Sequence, residues 1–178
     1  MMTMRMNRTI VVTLALLLLQ TAVIPWLIPS AWSDRLLPHL PFVMTVFVAM
    51  FAGRHRGFLF GLGFGLLEDT LSYGHMIGAY AFGMALFGYL IGLAAEQRSS
   101  RTLALLLVTV GIGSGLLDLL VYFIYKLFLL THLPIAYVVY WQVVPTLLLQ
   151  TFAGLLLYLP VRRWFVKNVA AAKEEANA

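Results

Sequence analysis

Cysteine is absent from the 178 residues, which excludes disulfides, thiolate metal sites and cysteine nucleophiles and leaves the redox compartment unreadable. Charge is scarce as well: charged residues make up 11% of the chain against 62% hydrophobic ones, and mean hydropathy is +0.92. A soluble domain carries about 25% charge, so that class is excluded. The net charge of +5 comes from 12 Lys+Arg against 7 Asp+Glu. These cations stand in short clusters between apolar runs and form no basic face, so nucleic-acid binding has no support. Catalytic patterns are also missing. There is no His-Glu-x-x-His pair and no Gly-x-Ser-x-Gly elbow. His39, His55, His75 and His132 are scattered without ligand spacing on one helix face, so neither a metal nor a cofactor is expected. Gly113-Ser114-Gly115 reads as a packing patch, and Gly61-Leu62-Gly63-Phe64-Gly65 is no phosphate loop, because no strand precedes it and no basic residue follows. An enzyme is not expected.

What is present is a succession of long apolar runs. At about 20 residues per crossing the length admits at most roughly seven or eight spans, with no room for a separate globular domain. The first run, 9–28, is too long for a signal h-region and no small-x-small cleavage site follows it cleanly, so it reads as a retained span. The second, 36–53, is shorter and has Pro38 and Pro41 near its start, where proline disturbs a helix least. After the basic turn Gly53-Arg54-His55-Arg56-Gly57, apolar sequence continues to Ala95, and the polar segment from Glu68 to His75 divides it into spans 58–71 and 76–95. Spans 102–128 and 135–161 follow, and 162–178 is a short cytoplasmic tail. The expectation is an all-α bundle of six transmembrane helices forming one domain, 1–161.

Loop charges test that count, because Lys and Arg accumulate on the cytoplasmic side of short loops. With six crossings and the N-terminus inside, Arg5, Arg8, Arg54, Arg56, Arg98, Arg101, Arg162, Arg163, Lys167 and Lys173 fall inside, leaving Arg35 and Lys126 outside. Removing the short second span would put every later cluster on the wrong side or invert the protein. Trp26, Trp32, Trp141 and Trp164 fall near span ends, where indole rings favour the interface. Both termini are therefore expected in the cytoplasm, with membrane lipids as the surroundings.

Within the third span, Gly57, Gly61 and Gly65 share one helix face, with Gly63 between them, and four-residue pairs recur at Gly74 and Gly78, Gly88 and Gly92, and Gly111 and Gly115. Such faces let another backbone approach closely, either within the bundle or on a partner's transmembrane helix. Ionisable groups inside spans are costly, roughly 2.5–3.5 kcal/mol for an Asp at mid-membrane. At about 1.5 Å per residue, Asp69 lies roughly 18 Å and Asp118 roughly 24 Å from the inner end of their spans, both in the outer half. Glu68, His75, Lys126 and Gln142 come near the same depth. This outer polar set fits a mutually satisfied structural network, a small-molecule pocket or an ion path.

The string Gly57-Phe58-x-x-Gly61-Leu62, then Gly65-Leu66-x-x-Asp69-x-x-Ser72, Gly78 and Gly88-Tyr89-Leu90-x-Gly92, resembles the MreD family of bacterial rod-shape-determining proteins. The motif-bearing part spans Arg54 to Arg101. The resemblance implies a non-enzymatic scaffold in the inner membrane that supports lateral peptidoglycan synthesis. It also implies direct binding to MreC, a single-span protein with a large extracytoplasmic domain, and indirect association with MreB, RodA and a penicillin-binding transpeptidase. Gly57, Phe58, Gly61, Gly65, Asp69 and Ser72 then stand as the family-motif or partner-binding residues. The family is also similar in fold to the substrate-binding subunits of energy-coupling-factor transporters. The alternative is therefore a small-molecule-binding transporter subunit using the outer polar cluster.

Overall fold

The structure, a computed structural model, describes residues 3–22, 26, 39–71, 76–97 and 102–158. Among these, every regular element is a helix, as the sequence predicts: α1 Thr3–Ala22, α2 Leu40–Ala52, α3 Arg54–Leu71, α4 Ala79–Glu96, α5 Leu103–Leu127 and α6 Ile135–Tyr158. Three of them, α4, α5 and α6, are long and apolar enough to cross a membrane. The apolar stretch of α1 and the 13 residues of α2 are shorter. In α3 the apolar sequence is interrupted by Arg54, Arg56, Glu68 and Asp69. Parts of the first two spans, the turns holding Ser72, His75, Arg98 and Arg101, and the tail 162–178 lie outside the described residues.

The centre of the bundle is α2. Its residues Pro41 to Met50 are all buried, and it packs against α1, α3, α4 and α5. A helix that is apolar on every side has no lipid- or water-facing stripe, so it belongs in the interior. At about 1.5 Å per residue it is only about 20 Å long, short of a hydrocarbon core of about 30 Å. Its start is satisfied without a conventional cap: the Leu40 amide donates to Gln20 Oε1 at 2.8 Å, Pro41 has no amide to satisfy, and the Phe42 amide donates to the His39 carbonyl.

Two boundaries differ from the sequence expectation. The basic segment around Arg54 is not a turn; a single residue, Gly53 at φ 94°, separates α2 from α3, and Arg54, His55 and Arg56 form the first turn of α3. That φ lies in the left-handed region, where only glycine enters at little cost, so one residue suffices to reverse the chain. The fourth span begins later than expected, at Ala79, after Gly78 at φ 107°. α6 also contains a π turn at Val139–Val143. Pro145, just beyond it, has no N–H to donate, and widening the preceding turn accommodates that loss.

Candidate functional site

Gly57, Gly61 and Gly65 lie in the tightest contact of the fold, the antiparallel seam between α3 and α4. A Cβ added to Gly57 would come under 3.0 Å from Ala49 and from the Gly88 carbonyl. At Gly61 it would meet the Met84 carbonyl, and at Gly65 the Ala81 backbone. The match is reciprocal: Gly88 faces the Gly57 carbonyl and Gly92 faces the Arg54 backbone. Small residues at four-residue spacing on both helices bring the two backbones together, so the glycine face is occupied within the chain. Gly63 lies off this face with nothing within 4 Å of a Cβ, and Phe58 is exposed on the outer side of α3.

Both ends of the seam are held by a carboxylate from the opposite helix. At the end of α3, Asp69 is buried, at 1% relative exposure. Its Oδ2 accepts from the amides of Gly78 at 2.9 Å and Ala81 at 3.0 Å, and its Oδ1 from that of Tyr80 at 3.2 Å. These are the unsatisfied amides of the first turn of α4, which has no side-chain cap of its own. A carboxylate at a helix N-terminus also meets the positive end of the macrodipole. At the other end, Glu96 of α4 accepts from the Arg54 amide at 3.2 Å, opening α3, and pairs with the Arg54 guanidinium at 3.6 Å. Each helix thus caps the other.

Next to Asp69, Glu68 faces a different set of partners. Its Oε1 lies 2.6 Å from His39 Nδ1 and accepts from Gln20 Nε2 at 2.9 Å. His39 Nε2 is 3.5 Å from Asp118 Oδ1, and the His39 ring stands 4.7 Å from that of Tyr80. Five helix ends or segments meet here through Gln20 of α1, His39 before α2, Glu68 of α3, Tyr80 of α4 and Asp118 of α5. Two of the expected outer polar residues, Glu68 and Asp118, are therefore brought together, and the histidine between them is one that sequence reading left unassigned.

Two further members of that set, Lys126 and Gln142, lie elsewhere. Lys126 is exposed, its Nζ 5.6 Å from the centre of the Tyr122 ring, and Gln142 is half-buried on the π turn of α6. His75 and Ser72 lie outside the described residues. Gln20 and His39 carried faint signals: an amide side chain inside an apolar run and an imidazole directly before one, each costly in lipid unless paired. The Ser114 hydroxyl donates to the Gly111 carbonyl of its own helix. Among the described residues no group of three or more His, Asp or Glu side chains has a metal-holding arrangement.

The same chain, taken as sequence, matches the family model described as rod shape-determining protein MreD over residues 3–168. The chain belongs to the MreD family. Among curated relatives, it is 27% identical over 148 residues to the rod shape-determining protein MreD of Bacillus subtilis (strain 168), covering 83% of this chain and 85% of that protein. No solved structure matches. Membership in MreD supports a membrane protein with a role in cell shape.

Proposed function

We propose that this MreD-family chain is a non-enzymatic scaffold of the cell-elongation machinery, crossing the inner membrane six times with both termini in the cytoplasm and binding MreC directly. MreB, RodA and a penicillin-binding transpeptidase are reached through that complex, in support of lateral peptidoglycan synthesis. The observation that carries this reading is the family match over nearly the whole chain. The side chains add support: the buried ionisable groups are engaged with one another or with backbone amides, and much of the outer surface of α1, α3, α5 and α6 is large apolar residues such as Leu18, Leu59, Leu116 and Leu148. A protein with this little outside the bilayer acts through its lipid-embedded faces.

In this reading the motif serves partner binding indirectly. Gly57, Gly61, Gly65 and Asp69 set the geometry of the α3–α4 hairpin, and Phe58 is the motif residue presented outward. The polar cluster around His39 supports a structural network over a ligand pocket, because one carboxylate oxygen, Glu68 Oε1, is shared by His39 of the α2 start and Gln20 of α1. The test is a pull-down in mild detergent from cells co-expressing this chain and its host's MreC. A stable complex that survives purification and is weakened by Phe58→Ala is expected. Recovery of the chain without MreC under several mild detergents would remove direct binding from the account.

A further inference from the structure

His39 stands with a carboxylate at each ring nitrogen: Glu68 Oε1 at 2.6 Å from Nδ1 and Asp118 Oδ1 at 3.5 Å from Nε2. His39 and Glu68 are buried among side chains of α1, α3, α4 and α5, at 4% and 1% relative exposure, and the Asp118 side chain is at 13%. A neutral imidazole carries one N–H, so it can donate to only one of these neighbours; its other nitrogen would turn a lone pair toward the second carboxylate. In a low-dielectric interior that opposition is expensive. Gln20 cannot relieve it. The Leu40 amide, donating to Gln20 Oε1, fixes the side-chain amide so that its NH2 points at Glu68 Oε1.

The centre of the cluster keeps unused hydrogen-bonding capacity. His39 Nε2, Glu68 Oε2 and Asp118 Oδ2 are buried without a hydrogen-bond partner among the described residues. Among the described residues, the other titratable groups facing it are Asp69, beside Glu68 on α3 and already accepting three amides, Tyr80 of α4, whose ring lies against His39, and Tyr125 of α5, within electrostatic reach of Asp69 and Tyr80. None of these brings a positive charge to the two carboxylates. The smallest cation that supplies it, needs no cavity and satisfies both ring contacts is a proton.

We propose that this cluster is a proton-binding site in which His39 is held as an imidazolium, donating from Nδ1 to Glu68 and from Nε2 toward Asp118. The bound proton ties the start of α2 to α3 and α5, and the tie is present while the proton is bound and lost as rising pH removes it. The inference concerns the bundle itself and does not depend on which partner the chain binds. The test is nitrogen NMR of the full-length, 15N-histidine-labelled chain in lipid nanodiscs, with His39 assigned by the signals missing from His39→Gln. At pH 7 both ring nitrogens of the wild type should report protonation. In Asp118→Asn, whose amide can donate to Nε2, the ring should revert to the neutral form protonated at Nδ1. A neutral His39 ring in the wild type at pH 7 overturns the proposal, and that spectrum decides it even where the variant fails to fold. An unchanged imidazolium in a folded Asp118→Asn would also overturn it, since Asp118 would then have no part in holding the proton.

Discussion

Asp69 concentrates the chemistry of this fold in one side chain. Buried acids are costly in a membrane, and the cost here is offset by three amide donors at the start of α4, hydrogen bonds strengthened by the carboxylate's charge. Asp69→Ala would leave those amides unsatisfied in an enclosed site, so it is expected to destabilise the chain by about 2–4 kcal/mol in reversible detergent unfolding. Asp69→Asn keeps an acceptor oxygen and should cost less than half as much. Equal losses in the two variants would show that charge, and not hydrogen-bond acceptance, is what α4 requires. The sequence made Asp69 conspicuous by its depth and by the motif around it. It could not name the acid's partners, because backbone amides at a helix start carry no sequence signature. His39 and Gln20 were harder still: 19 positions separate Gln20 from His39 and 29 separate His39 from Glu68, so only the fold makes them neighbours.

At the scale of elements, the α3–α4 hairpin is the unit most completely specified. Among the glycines of its two helices, Gly63 alone is open while the others are in close contact, which gives an internal control. Gly61→Ala would force a Cβ into the Met84 carbonyl and is expected to cost about 1–3 kcal/mol through overpacking. Gly63→Ala meets nothing and should be neutral or stabilising by up to about 1 kcal/mol, the helix preference of alanine over glycine. Thermal unfolding of the two variants in one detergent compares them directly, and similar behaviour would show that the seam is looser than described. The four-residue spacing of these glycines was legible from the sequence, but spacing alone is equally compatible with a partner helix. Only the matching small face of α4, at Ala81, Gly88 and Gly92, identifies the occupant. The reversal at Gly53 was misplaced for a related reason: clustered basic residues look like a loop, whereas here they form the first turn of a helix whose opening amide is held by Glu96.

At the scale of the whole molecule, the described residues form six helices, the class that hydropathy predicts, and three of these six fall short of crossing a membrane by length and composition alone. The central helix explains part of that shortfall. Buried on all sides, α2 is relieved of the length a lipid-facing helix needs. The absence of cysteine makes the proposed orientation easy to test, since every introduced thiol is unique. A cysteine at Thr131, in the α5–α6 connection, should react with a membrane-impermeant maleimide in spheroplasts, and one at His55 only after permeabilisation. The reverse pattern would invert the topology. The central claim, that this chain maintains rod shape as a membrane scaffold, is tested most directly by measuring cell length and width as the host's own copy is depleted, with and without plasmid-borne variants. The account predicts that depleted cells round up, that the wild-type chain and Gly63→Ala restore rods, and that Gly61→Leu, which wedges the hairpin apart, does not. Rods that persist through complete depletion would contradict it.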